Sequence, residues 1–345
     1  MNVLSKLAQL NLKAHKFTEA EKYYIICKEM IKDIPDITDK GYAFYNNLLH
    51  YYLYTDLGKA EKFIEEMMAI EFQTSNIRKI RFSFANLNLL QKNYDEAMSN
   101  YQKVLKMVPD DQLKAYTLNN MAVTGVSKLD IQIKKNIISE NPQEDHMSII
   151  RTFKESLQLF ENLPQIKANI AKEESKFKKD YIAELFDFES VIPAEYNHET
   201  EKNYLGLISN KDSGRVITNI SDYLLTHERV NPNNISFWFK IGLNFYENKA
   251  PELIDRHIML LAMFYSANQK VSSAETLYKS FLSKMKKDDW YVKALALNMY
   301  GRMLLRHPKR KEQGMTYIEQ SEDLMSRLPF WYDKLDNIYL LDDEI

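Results

Sequence analysis

An all-α fold of paired helices stacked in a row is what this sequence predicts, and three observations predict it. Glycine is scarce, at 8 residues in 345, where average usage gives roughly 24. Proline is scarce too, at 9. Helix interiors tolerate neither residue well, whereas sheet-rich and phosphate-cradling folds need glycine at turns and close approaches. The third observation is a recurring frame: Ala20, Ala60, Ala97 and Ala274 are each followed four residues later by a large side chain, at Tyr24, Ile64, Tyr101 and Tyr278.

Taken in order, the first pair of helices carries Leu4, Leu7, Ala8, Ala20, Tyr24 and Cys27 in this frame. The second carries Phe44, Asn47, Leu48, Tyr51, Ala60, Ile64, Met67 and Phe72. The third, Asn76 to Pro109, is the clearest: Phe84, Ala85 and Asn88, a break at Gln91-Lys92-Asn93, then Ala97, Tyr101 and Val104 before Pro109 stops the helix. Two antiparallel helices cross closely only where a side chain is small, and Ala85 and Ala97 supply that contact; a proline cannot continue the second helix. A fourth first-helix follows at Tyr116, Asn119, Asn120 and Val123.

After Val123 the period fails. Gly125 to Met147 is polar, with Asn141-Pro142-Gln143-Glu144-Asp145 as a loop signal. Ser148 to Asn162 places Ile149, Ile150, Phe153, Leu157 and Phe160 at helical spacing and reads as a delayed second helix. Another helix is expected over Gln165 to Phe188, and Val191 to Asn197 reads as a connection. Ser209 to Gly214 reads as a turn, and Asn203 to Asn248 as irregular helical repeats. The frame returns at Ile258, Leu261, Ala262, Tyr265, Ala274, Tyr278 and Phe281, and, with a one-residue slip, at Leu297, Tyr300, Gly301, Leu304, Gly314, Ile318 and Ser321. Pro329 to Ile345 is expected to cap the last pair through Phe330, Trp331, Leu335, Ile338 and Tyr339. The expected domains are an N-terminal array over 1–125, an irregular helical middle section with an insertion over 126–202, and a C-terminal array with a helical cap over 203–345.

The pattern of large, large-small and aromatic, then Ala, aromatic and Pro in the segment Asn76 to Pro109 resembles the tetratricopeptide repeat, a helix-turn-helix unit of roughly 34 residues. The resemblance covers about two thirds of the chain. It implies a right-handed α-solenoid of about six helix pairs, in which the first helices line a concave inner surface. Slots that point inward in that family fall here on Tyr42, Tyr45, Leu49 and Tyr52 of the second pair, and on Lys79, Phe82, Asn86 and Leu89 of the third. These are the expected partner contacts, because aromatic rings give a large contact area at small entropic cost. Some members of the family clamp the C-terminal carboxylates of chaperones with five polar residues. The matching positions here are Ser5, Gln9, Asn46, Lys79 and Ser83. Asn46 and Lys79 fit; Ser5 and Ser83 replace cationic groups with hydroxyls, which cannot make the charge-assisted bond.

The remaining composition excludes more than it assigns. A net charge of −2 from 46 basic and 48 acidic residues gives no bulk attraction for nucleic acid or anionic lipid. The run Lys172 to Lys179 is interrupted by Glu173 and Glu174 and reads as a solvated helix face. Cys27 is the only cysteine, so no intrachain disulfide or thiolate cluster forms. The seven histidines show no paired ligand spacing, and no Gly-rich phosphate loop or metalloprotease helix occurs. No apolar run reaches the roughly 18 residues that span a bilayer. Met1 to Lys16 holds three lysines and no acid, so a mitochondrial presequence stands as the alternative to a cytoplasmic, intracellular protein. The expected function is a non-enzymatic scaffold or adaptor subunit of a larger complex, without cofactor, metal or nucleic acid, holding one or more proteins in the concave groove. The alternative is a receptor for an acidic C-terminal peptide.

Overall fold

Alternation of apolar clusters at helical spacing with short polar breaks produces the helices of the computed structural model. It describes residues 2–13, 16–31, 39–70, 74–135, 142–161, 212–227, 238–239, 242–243, 245–246, 254–284, 290–329, 335, 338 and 340. Among these residues every regular element is helical. The expected helix over Gln165 to Phe188, the connection at Val191 to Asn197 and the lysine run lie outside the described residues.

The chain divides into two compact units, residues 1–139 together with 329–345, and residues 140–328. The first unit holds α1 (Asn2–Lys13), α2 (Phe17–Ile31), α3 (Asp39–Thr55), α4 (Leu57–Met68), α5 (Thr74–Leu90), α6 (Tyr94–Lys106) and α7 (Asp111–Lys134). The second holds α8 (Pro142–Glu161), α9 (Ser213–Thr226), α10 (Ile254–Ala267), α11 (Val271–Lys284), α12 (Trp290–Leu305), a 3-10 turn (Pro308–Arg310) and α13 (Lys311–Met325). The boundaries differ from those the sequence suggested. The segment from Pro329 belongs to the unit built by the N-terminal helices, where Leu335 and Ile338 are buried.

The small-residue frame occupies the core. Ala8, Ala20, Ala60, Ala85, Ala97, Ala262 and Ala274 have no exposed surface, and Tyr24, Tyr101 and Tyr278 fill the space beside them. Two hairpins, α5–α6 and α10–α11, turn by the same device. Asn93 N–H donates to Asn88 O at 2.8 Å and Lys92 N–H to Leu89 O at 3.0 Å. Lys270 N–H donates to Tyr265 O at 2.9 Å and Gln269 N–H to Ser266 O at 3.2 Å. Both are Schellman motifs, which need one left-handed residue, and Lys92 and Gln269 supply it with φ of 68° and 60°. At the α12–α13 crossing the small residues are glycines: a Cβ on Gly301 would lie 2.7 Å from Gly314 O.

Three local readings are corrected. The fourth first-helix does not end near Val123, since α7 continues through Gly125 to Lys134 and buries Ser127 and Leu129. Its own packing, and not the repeat period, sets its length. Asn141 to Asp145 is not a loop throughout: α8 begins at Pro142, where a proline lacks only an N–H that no helix end could use. Ser213-Gly214 opens α9 with Asp212 at its N-cap and is no free turn. Gly214 is required there, because a Cβ would meet the Phe245 ring at 2.8 Å.

Candidate partner-binding site

The expected inward slots lie on α3 and α5, and the structure divides them. Tyr42, Asn46 and Leu49 of α3, and Phe82, Asn86 and Leu89 of α5, are buried. Tyr45, Tyr52 and Lys79 are partly exposed. Phe82 and Asn86 have neighbours that explain their burial. The Phe82 ring tilts onto Tyr101 at 5.9 Å. Asn86 Oδ1 accepts from Tyr101 Oη at 2.5 Å and from Asn120 Nδ2 at 2.8 Å, and Asn119 Nδ2 donates to Asn120 Oδ1 at 3.1 Å. Amides buried this deeply are stable only when hydrogen-bonded, so this cluster ties α5, α6 and α7 together. Burial pushes the Tyr101 phenol far above its ordinary range.

The partly exposed rings lie along a seam. Tyr45 stacks on Phe63 of α4 with centroids 5.5 Å apart, and Tyr52 meets the same ring edge-on at 5.5 Å. Lys28 of α2 covers Phe63 with its ammonium 5.0 Å from the centroid and bonds Glu66 at 3.2 Å. Burial holds both the Tyr45 and the Tyr52 phenol above the ordinary range, so both stay neutral. Lys79 Nζ stands 5.3 Å from the Tyr42 ring centroid. Of the five clamp positions, Ser5, Asn46 and Ser83 are buried, so they offer no surface to a carboxylate. Where Ala85 and Ala97 let α5 and α6 cross closely, Phe82 and Asn86 pack as core.

The apolar surface left open lies elsewhere, on the first helix pair. Leu7 and Leu10 of α1 and Ile25, Ile26 and Met30 of α2 are exposed, Leu10 by 63% and Ile26 by 47%. They are half of the ten large apolar side chains exposed among the described residues, so the first pair is where such surface concentrates. The sequence reading counted Leu7 as packing and passed over Leu10, Ile26 and Met30. The signal available was spacing: Leu7 and Leu10 at i, i+3, and Ile26 and Met30 at i, i+4.

A second grouping was invisible to local spacing. In the other unit His146 of α8 bonds the Tyr223 phenol of α9, and His227 packs its ring 4.5 Å from Tyr223 and 5.7 Å from His146. His227 Nδ1 lies 3.1 Å from Tyr223 O and 2.9 Å from Thr226 Oγ1. His227 is partly buried and its ring joins α9 to α8. Among the described residues no group of three or more His, Cys, Asp or Glu side chains is placed to hold a metal, and no helix is long and apolar enough to cross a membrane.

No protein-family model matches the chain, and no curated protein sequence matches it either.

Proposed function

We propose that this chain is a non-enzymatic scaffold or adaptor subunit, a right-handed α-solenoid of the tetratricopeptide kind, that holds another polypeptide on the outer face of its first helix pair. The observation that supports this reading is that Leu7 and Leu10 of α1 and Ile25, Ile26 and Met30 of α2 are exposed, half of the large apolar side chains exposed among the described residues. Concentrated exposed apolar surface is uncommon on monomeric proteins and marks interaction surfaces. The buried slots on α3 and α5 support moving the contact away from the inner groove, since a side chain already in the core lends nothing to recognition.

The test is a photo-crosslinking residue placed at Ile26 and, as reference, at the exposed Lys103 of α6. In native extract the Ile26 position should give a discrete cross-linked species that the Lys103 position does not. Equal, diffuse labelling from both would remove the reading.

A further inference from the structure

We infer that the basic end of α12 and the turn after it bind an acidic, extended segment of a partner polypeptide through Arg302, Arg306, Lys309 and Lys311. The inference shares with the scaffold reading above the premise that the partner is a polypeptide. From Trp290 to Lys311 the chain carries six lysines and arginines and no acid, within a sequence of 46 basic and 48 acidic residues. The one acid of α11 is Glu275, and it is already held by Arg310 at 2.8 Å and Lys279 at 2.7 Å. Arg302, Arg306, Lys309 and Lys311 are exposed, and among the described residues none of the four has a carboxylate partner. Folding does not account for these charges. A helix C-terminus is partly negative and favours a cation, which Arg302 supplies in the last turn of α12. Arg306 follows four residues later, a spacing at which like charges repel. Lys309 and Lys311 flank the start of α13, a helix end that is partly positive and disfavours a cation.

Three features select an acidic peptide over other anions. The basic strip is narrow, since Glu312, Glu319 and Glu322 are exposed along α13, the helix paired with α12. A duplex or a membrane surface is broader than one helix and would bring these acids against phosphates. Single-stranded nucleic acid is held by cations together with aromatic rings on which bases stack, and Gly301 to Thr316 contains no Phe, Tyr or Trp. The spacing fits an extended chain. Arg302 and Arg306 are about 6 Å apart along the helix axis, and alternate residues of an extended strand are about 6.6 Å apart on one face. Acids two residues apart in the partner thus meet the two guanidinium groups in turn. Each guanidinium can hold a carboxylate by two parallel hydrogen bonds.

The experiment is a fluorescence-anisotropy titration of the full chain with a short labelled peptide of alternating aspartate and serine. The reference is the same peptide with asparagine for aspartate. The aspartate peptide should bind at least about tenfold more tightly. Arg302→Glu with Arg306→Glu should weaken it by at least about tenfold. Lys103→Glu with Lys106→Glu on α6, an equal change of net charge at exposed positions, should change it by less than about twofold. Helicity and melting temperature are checked for each variant, and Arg302→Gln with Arg306→Gln replaces the double glutamate if that fails to fold. The scaffold reading is tested separately, because the Ile26 cross-link involves none of these residues: a specific cross-link without peptide preference removes this surface alone. Equal binding of the two peptides overturns the inference, as does an equal loss in the α6 variant. Tighter binding of single-stranded RNA or of phosphatidylserine vesicles through the same arginines also overturns it, since the occupant then carries phosphate.

Discussion

Lys92 and Gln269 hold left-handed backbone, at φ 68° and 60°, in two hairpins far apart in the sequence. A side chain there costs roughly 1 kcal/mol that glycine does not incur. Lys92→Gly and Gln269→Gly should each stabilise the fold by about 0.5–1 kcal/mol, read as a rise in the urea midpoint at unchanged slope. A loss of stability would mean that the lysine or glutamine side chain contributes more than its backbone costs. His257 is the residue that ties stability to pH. It is fully buried, donates from Nε2 to Phe239 O at 3.0 Å, and packs between the Phe239 and Tyr246 rings. Gly242 makes room for it, since a Cβ there would lie 2.1 Å from Nε2. Burial, against the opposing bond to Phe239 O, pushes its pKa down from 6.5 to about 4. The unfolded chain thus takes the proton first. Stability from the neutral ring is complete above about pH 6.5 and is lost as the pH falls toward 4, by roughly 3 kcal/mol. Denaturation midpoints across that range should fall with acid, and His257→Gln should flatten the slope. An unchanged slope in the variant would place the sensitivity elsewhere.

At the scale of elements, α12 crosses α13 with backbone close to backbone. A Cβ on Gly301 would meet Gly314 O at 2.7 Å and Ile318 Cγ1 at 2.8 Å, and one on Gly314 would meet Gly301 O at 2.8 Å. Two of these neighbours are backbone and cannot rotate away. In an exposed helix, Gly→Ala would gain up to about 1 kcal/mol in propensity. Here the helices must separate, so Gly301→Ala should cost about 1–3 kcal/mol net. The measurement is a thermal or chemical denaturation midpoint; a stabilised variant would show that the helices part freely. The turn before α13 is fastened to α11 by Arg310, which bonds Glu275 through Nη1 at 2.8 Å and Nη2 at 2.9 Å, while Tyr300 Oη of α12 donates to Glu275 Oε1 at 2.9 Å. Hydrogen bonds from Arg310 and then Lys279 hold the Glu275 carboxyl down at about 2. With a folded pKa below the ordinary 4.5, this fastening is in place above pH 4.5 and weakens only as the pH falls toward 2.

For the whole molecule, the division into units makes a prediction about the end of the chain. Residues 329–345 belong with 1–139, and Leu335 and Ile338 are buried there. Deleting 329–345 should raise hydrogen exchange in α1–α7 and leave α10–α13 unchanged. Faster exchange confined to α12 and α13 would return the segment to the role of a cap on the last pair.

What the sequence determined by itself was everything that depends on near neighbours. Helix-forming composition, the break at Gln91-Lys92-Asn93, and the slots held by Ala85, Ala97, Tyr101, Ala262, Ala274 and Tyr278 were all legible, because a helix repeats every few residues and a close crossing demands a small side chain. The candidate site was legible only as a list of residue types. Whether Phe82 or Asn86 meets solvent depends on how closely α6 and α7 approach, and that distance is set by packing between helices and by no local spacing. Tertiary structure alone brought His146 to His227 and grouped the last segment with residues 1–139, since contacts between residues so far apart in the chain leave no periodic trace. It also decided that Leu10 and Ile26 remain open, because the helices that cover their opposite faces cannot cover both sides at once.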